Sequence, residues 1–139
     1  MFDFPKISLT EIVATGGSLV LATTAGALEE RPAVPSGFEV TLQETRTETL
    51  QDGTAVLRLR FVMPQIGGDS ASYVTVADDF ASLCETVGMS TLAETGLAVD
   101  QIVVSLSDRE TAFGVANPDA TQYFEVFTLE NDTCIWEAF

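Results

Sequence analysis

Residues 73–88 read YVTVADDFASLCETVG, and this segment is the strongest evidence in the sequence for the fold class. Its apolar side chains recur at the spacing of one helical face, which predicts a helix with a single apolar stripe. The stripe consists of Val76, Phe80, Leu83, Cys84 and Val87. Thr75, followed three residues later by an acidic residue, indicates the start of this helix. Gly88 is expected to end it, and a shorter helical turn is expected over 90–95.

On both sides of the helix the sequence alternates apolar and polar residues, the period of half-buried strands. The predicted strands cover residues 38–50, 56–63, 101–106, 123–129 and 134–139. Asp52-Gly53 predicts a tight hairpin between the first two. The order β-β-α-β-β-β predicts an α+β fold of two layers, a mostly antiparallel sheet of about five strands with one main helix packed on one face. The other face is expected to be polar, with arginine and glutamate side chains.

The predicted domain covers residues 38–139, and the charged, Pro- and Gly-containing segment 28–37 is expected to be a linker. Residues 1–27 resemble a signal peptide because Lys6 precedes an apolar run over 12–22 that ends in Ala25-Gly26-Ala27. Asp3, Glu11 and two glycines within the run argue instead for an N-terminal tail. The run is shorter than the ~20 apolar residues of a membrane-spanning helix, so no stable membrane anchor is expected after cleavage.

Charge is the most unusual feature of the composition. The chain of 139 residues has 21 acidic and 6 basic residues, a net charge of −15, and no lysine follows Lys6. Phosphate backbones and anionic membranes both require clustered Lys or Arg, so no nucleic-acid partner is expected. The acidity indicates either a solvated surface or a surface that docks on a basic partner. Mimicry of nucleic acid is a further alternative.

The absence of histidine excludes several kinds of catalytic site. A serine or cysteine nucleophile activated by histidine is excluded, and so is a zinc site with imidazole ligands. No calcium-binding loop or phosphate-binding loop is present either. We therefore assign no catalytic residue, no metal ligand and no cofactor.

Cys84 and Cys134 are the only cysteines. One lies on the helix stripe and the other begins the last strand of the sheet that the helix should cover, which predicts a disulfide between the layers. Two buried thiols are the alternative, and a redox site is less well supported because no His or Lys is placed to activate a thiol. The disulfide favours a periplasmic or secreted protein, with a cytoplasmic one as the alternative.

Three groups of residues are candidates for binding. The C-terminal hairpin is aromatic on both faces, and the side chains that form a candidate interaction surface are Tyr123, Phe127, Trp136 and Phe139. One face must enter the core, and packing of these side chains in the core and at the sheet edge is the alternative. Asp108 and Arg109 follow a strand, where they form either a ligand-binding loop or a solvated turn with an ion pair. Arg58 and Arg60 share one strand face, where they either pair with Glu39 or Glu48 or bind an anionic partner.

These features support two main functional hypotheses. The first is a non-catalytic exported domain that binds a protein partner through the aromatic hairpin or a free sheet edge. The second is a small ligand-binding protein or enzyme that uses Asp108 and Arg109 in a concave pocket.

From about Phe61 to the end, the chain resembles a family of small uncharacterised proteins from alphaproteobacteria. The residues that carry the resemblance are Leu83-Cys84, Ser107-Asp108-Arg109, Phe113-Gly114, Thr121-Gln122-Tyr123-Phe124-Glu125 and Cys134-Ile135-Trp136-Glu137. The resemblance implies no activity. Some members have a label taken from acetolactate synthase, which this chain cannot support because it is short and has no thiamine-diphosphate-binding context.

Overall fold

The structure is a computed structural model that describes residues 31–69 and 71–138. The expected signal-peptide-like segment 1–27, the first part of the expected linker and Phe139 lie outside the described residues. The strands are β1 (Thr41–Thr49), β2 (Ala55–Val62), β3 (Gln101–Ser107), β4 (Gln122–Glu130) and β5 (Thr133–Trp136). The helices are α1 (Tyr73–Leu83) and α2 (Met89–Thr95), joined by a π-helical turn over Cys84–Gly88, and a short 3-10 helix covers Pro64–Gly67.

The five strands form one sheet in chain order, β1-β2-β3-β4-β5. Three of the four pairings are antiparallel, and β2 pairs with β3 in parallel because the helical layer connects them. Asn131 and Asp132 both have positive φ values, of 51° and 62°, in the two-residue turn between β4 and β5. The predicted α+β fold, a mostly antiparallel sheet with one main helical segment, is confirmed.

The core lies between the sheet and the helical layer. Leu57, Leu59 and Phe61 of β2 face α1, and Ile102, Val104 and Leu106 of β3 continue the same apolar surface. From the helical layer this surface receives the side chains of Val76, Phe80, Leu83, Cys84 and Val87. The stripe read from the sequence is therefore the buried face of the helix. We call this side of the sheet the covered face and the other side the open face.

Both ends of the main helix differ from the expectation. α1 begins at Tyr73, after Ser72 in an extended conformation, so Thr75 lies within the first turn, where its N–H donates to the Ser72 carbonyl. Gly88 does not end the helix, because the helical backbone continues through the π-helical turn into α2. The helical segment ends at its C-cap Gly96, where φ is 73°. A Cβ at Gly88 would lie 2.8 Å from Cδ1 of Ile102. Glycine at this position permits close approach of the helix to the sheet.

The segment expected as a linker is packed onto the domain from residue 34 onward. Val34 is part of the core, and the Ser36 N–H and hydroxyl donate to the two carboxylate oxygens of Asp79, at 2.9 and 2.6 Å. Asp79 is buried on α1, so these hydrogen bonds compensate for the removal of a carboxylate from water. The ordered domain thus extends N-terminal to Phe38.

Candidate functional site

The β4–β5 hairpin borders a groove on the covered face of the sheet, which we call the hairpin groove. It has a volume of about 310 Å³ and lies between α1 and the hairpin. Its lining consists of two alanines of α1 together with Tyr73, Asp78, Phe80, Glu125, Phe127 and Trp136. The groove therefore combines aromatic walls with two carboxylates.

Glu125 connects the two sides of this groove. The Tyr73 hydroxyl donates to Oε1 of Glu125 at 2.9 Å, and Nε1 of Trp136 donates to Oε2 of the same carboxylate. The hydrogen bond to Glu125, together with burial, raises the pKa of Tyr73 above its ordinary value. The carboxylate fixes a tyrosine of the helix and a tryptophan of the edge strand relative to each other.

Trp136 and Ile135 are exposed although both are large and apolar. The exposed fraction is 57% for Trp136 and 41% for Ile135. They point to opposite faces of β5, since Trp136 pairs with Phe127 and Ile135 pairs with Thr128. Exposed tryptophan is enriched among the residues that dominate binding energy at protein interfaces.

β5 is the last strand of the sheet, and within residues 31–69 and 71–138 no further strand pairs with it. The Glu137 N–H donates to the Val126 carbonyl, and the turn has two residues, so Thr133 and Ile135 direct their backbone groups toward β4. The backbone N–H and C=O groups of Cys134 and Trp136 consequently point to the free edge. This edge has the geometry that accepts an added strand.

Every charged residue of the chain beyond Arg109 is acidic. No Lys or Arg follows Arg109, and the acidic residues beyond it are Glu110, Asp119, Glu125, Glu130, Asp132 and Glu137. A groove and an edge in this part of the chain therefore favour a basic partner.

The four candidate interaction residues have different environments. Trp136 lies at the mouth of the hairpin groove, and Phe127 lies at its base, in the core, with only 2% of its surface exposed. Tyr123 is half-buried and makes an edge-to-face contact with Tyr73, with ring centroids 5.7 Å apart. Phe139 lies outside the described residues. Of the described three, Trp136 is therefore the one whose ring is accessible to a partner.

Cys84 and Cys134 are bonded to each other, with Cα atoms 6.3 Å apart. Cys84 is fully buried at the start of the π-helical turn, and Cys134 lies on β5 two residues before Trp136. The disulfide links the helical layer to the edge strand beside the hairpin groove.

The open face of the sheet has a second concave surface, which we call the open-face cavity. Its volume is about 370 Å³, and the loop 108–121 folds over it. Polar side chains of the lining include Arg58, Arg60, Ser105, Ser107 and Gln122. Apolar side chains include Val103, Phe113, Val115 and Phe124. The expectation of a polar open face with arginines describes only part of this surface, because the loop adds an apolar wall.

The two arginines of β2 pair across the first hairpin. Arg58 binds Glu48 through Nε and Nη2, at 2.7 and 2.6 Å, and Arg60 pairs with Glu44. Nη2 of Arg60 also donates to the carbonyl and the hydroxyl of Thr111, which anchors the loop. Of the two glutamates named from the sequence, Glu48 is a partner, whereas Glu39 lies before β1 and donates its N–H to Gln65.

Asp108 and Arg109 form a local ion pair at the start of the same loop. Two guanidinium nitrogens of Arg109 lie 3.1 Å from the Asp108 carboxylate, which also accepts the Thr121 N–H. The Arg109 hydrogen bond holds the pKa of Asp108 below its ordinary value. The Asp108 side chain packs against Gly67, where a Cβ would lie 2.4 Å from Oδ2, and half of the Arg109 side chain is exposed. Neither residue lines the hairpin groove or the open-face cavity. This ion pair therefore stabilises the conformation of the loop.

Phe113 and Phe124 were not singled out as site residues by the sequence analysis. Phe113 lies in a loop without periodicity, and Phe124 enters the sequence analysis only through the family resemblance. The alternation of β4 could have identified Phe124, because it places this residue on the face opposite Phe127.

In the part of the chain that the structure describes, no group of three or more Cys, Asp or Glu residues is placed to hold a metal ion. Nor does that part contain a helix long and apolar enough to cross a membrane.

Comparison with known proteins identifies one family. Residues 16–139 match the model of a family of unknown function (DUF6497), which extends the similarity well N-terminal to Phe61. No curated protein and no solved structure matches the chain.

Proposed function

The chain belongs to the family of unknown function DUF6497, and we propose that it is a non-catalytic interaction module that binds a basic, extended segment of a protein partner at the hairpin groove and the β5 edge. The observation that carries this proposal is the exposed Trp136 beside Glu125 on an unpaired edge strand. An aromatic ring, a carboxylate and a row of free backbone groups are the elements that recognise an extended basic chain.

The groove supplies the side-chain recognition. A Lys or Arg side chain placed over the Trp136 ring gains a cation–π interaction, and the carboxylates of Asp78 and Glu125 lie in the same groove to receive its charge. The apolar stem of such a side chain would pack against Tyr73 and Phe80.

The edge supplies the backbone recognition. An added strand would exchange hydrogen bonds with Cys134 and Trp136, whose N–H and C=O groups point away from β4. Strand addition contributes affinity through the backbone, and the groove adds specificity through one side chain. The net charge of −15 would accelerate the approach of a basic partner.

Export to the periplasm is part of the proposal. The disulfide is compatible with an oxidising compartment, and the sequence before Leu28 has some features of a signal peptide. An alphaproteobacterial source accords with this location and rests on the resemblance alone.

A site-specific photo-crosslinking experiment tests the proposal. A photoreactive amino acid replaces Ile135 in the full chain, produced in its native cells, and the matched control carries it at Leu97, which is equally exposed at 43% beyond α2. We expect one discrete crosslinked protein from position 135 and none from position 97. Adding Trp136→Ser should abolish that product, because the ring that receives the partner is lost. Identical products from both positions, or none from position 135, would contradict the proposal.

A further inference from the structure

We propose that the open-face cavity binds a small apolar monocarboxylate, with Arg58 as the anion partner and Phe113, Val115 and Phe124 as the apolar walls. This site is on the opposite side of the sheet from the hairpin groove and does not depend on the function proposed above.

Half of the cations of this acidic chain lie around Phe113, a residue of the cavity wall. Arg46, Arg58 and Arg60, three of only six basic residues, all lie over the ring of Phe113. Their guanidinium carbons are 4.2, 5.7 and 5.4 Å from the ring centroid. The ring face attracts all three cations and brings like charges together. In a chain of net charge −15, this is a local region of positive charge.

The carboxylates beside these arginines leave one positive charge uncompensated. Glu44 pairs with Arg46 and Arg60, and Glu48 pairs with Arg58. Three guanidinium groups are thus paired with two carboxylates. Among the residues that the structure describes, no Asp or Glu lines the cavity. A single negative charge in the cavity would restore local neutrality.

The surplus positive charge belongs to the two arginines that share Glu44, and Arg58 is the lining arginine that has donors left for an anion. Arg60 is only 12% exposed and is occupied by Glu44 and Thr111, whereas 31% of the Arg58 side chain is exposed. Arg58 uses Nε and Nη2 for Glu48, and in the described part of the chain no partner binds its Nη1. Nη1 therefore offers two N–H donors to an anion in the cavity.

The other residues of the cavity determine the polarity and the size of the ligand that it can hold. Ser105 pairs with Arg60 on one side and with Phe124 on the other, so a hydroxyl lies between the arginine row and the aromatic wall. Phe113, Val115 and Phe124 are exposed by 40%, 63% and 61%, which leaves apolar surface for a ligand to cover. A volume of about 370 Å³ lies in the range of small-molecule sites. A ligand with one anionic end and one apolar body would match both the arginines and the apolar wall of the cavity.

Binding of 3-phenylpropionate to the isotopically labelled full chain, followed by amide chemical shifts, tests this site. We expect saturable shifts confined to β2–β4 and the loop 111–116. The uncharged analogue 3-phenylpropanol should bind about tenfold more weakly or worse, because it cannot make the charge-assisted hydrogen bonds to Arg58. Equal affinity for acid and alcohol, or no saturable shifts at the cavity, would overturn the proposal.

Variants separate the two parts of the site. Arg58→Gln should reduce the affinity for the acid to that for the alcohol, and Arg31→Gln, at an exposed arginine that does not line the cavity, should leave both unchanged. Phe124→Ala should weaken both ligands equally. Trp136→Ser should have no effect, which distinguishes this site from the hairpin groove. Unchanged acid binding in Arg58→Gln would refute the assignment, and if that variant does not fold, the comparison of acid with alcohol on the wild-type chain decides it.

Discussion

Cys84, fully buried in the helical layer, is bonded to Cys134 on the edge strand β5, and their Cα atoms lie 6.3 Å apart. The bond joins residues 50 positions apart in the sequence and crosses from one layer to the other. β5 has only four residues and pairs with β4 alone among the described strands. The disulfide therefore holds the strand that carries Trp136 against the helical layer that forms the other wall of the hairpin groove.

The disulfide should contribute substantially to stability. Replacing both cysteines, in Cys84→Ala/Cys134→Ala, should lower the free energy of unfolding by about 3–4 kcal/mol, because a loop of this length is no longer closed in the unfolded chain. Urea unfolding with and without a reductant measures the difference. Most of it should vanish in the reductant, where the wild-type chain also lacks the bond. Equal unfolding midpoints under oxidising conditions would contradict the prediction.

Glu125 should control the ionisation of Tyr73. Glu125→Gln should lower the pKa of Tyr73 toward its ordinary value, because the carboxylate that accepts the hydroxyl hydrogen bond is the main cause of the raised pKa. Absorbance titration of the phenolate in a Tyr123→Phe background isolates Tyr73, since the chain has two tyrosines. Glu130→Gln, at the exposed end of β4, is the control and should not shift the titration. An unchanged curve in Glu125→Gln would refute the link.

Asp108 should make stability depend on pH in the acidic range. Its pKa is lowered in the folded state, so its contribution is fully present above the unfolded value of about 4 and is lost as the pH falls through the folded pKa. Asp108→Asn should therefore be destabilising at neutral pH, and its difference from the wild-type chain should shrink on acidification. Urea unfolding across this range tests the sign, with the exposed Asp69→Asn as control. A difference that grows on acidification would be inconsistent with the ion pair.

Asp79 should stabilise the packing of residues 34–36. Asp79→Ala should lower the free energy of unfolding by about 1–3 kcal/mol, since the Ser36 N–H and hydroxyl lose a charged acceptor. The same substitution at Asp78, its neighbour toward the groove, should cost much less. Thermal or urea unfolding of the two variants gives the comparison. If both cost the same, the Ser36 contact has no special role.

The helix is the element that sequence reasoning described best, and its end shows why the description was incomplete. An apolar stripe is a local property, so periodicity located the buried face of α1 without any knowledge of the sheet. Glycine is a common helix terminator, and that statistical preference favoured a stop at Gly88. In the folded chain, a Cβ added to Gly88 would lie 2.8 Å from Cδ1 of Ile102. Such a contact depends on a strand fourteen residues away and has no local signal.

The candidate sites also combine features that local sequence predicts with features that arise only from tertiary contacts. The sequence predicts an aromatic C-terminal hairpin and leaves open whether its aromatics are exposed or packed, and alternation places Trp136 and Ile135 on opposite faces. Alternation does not say which of the two faces is covered, nor that Phe127 lies in the core while Trp136 is exposed. Glu48 is one of the two glutamates that the sequence offers as partners for the arginines of β2, and in the structure it pairs with Arg58. Phe113 could not be found this way, because its contacts with three arginines arise from the fold of a loop.

Four properties can be predicted from the amino-acid sequence: the two-layer α+β class, the buried helix face, the hairpins and the strongly acidic charge. These properties depend on the spacing of neighbouring residues or on composition, and both can be read without coordinates. The folded chain was needed to establish the strand order, the parallel pairing of β2 with β3, the hairpin groove and the open-face cavity. Each of these joins segments that are distant in the chain, and the energy that brings them together comes from the burial of a shared core rather than from any one segment.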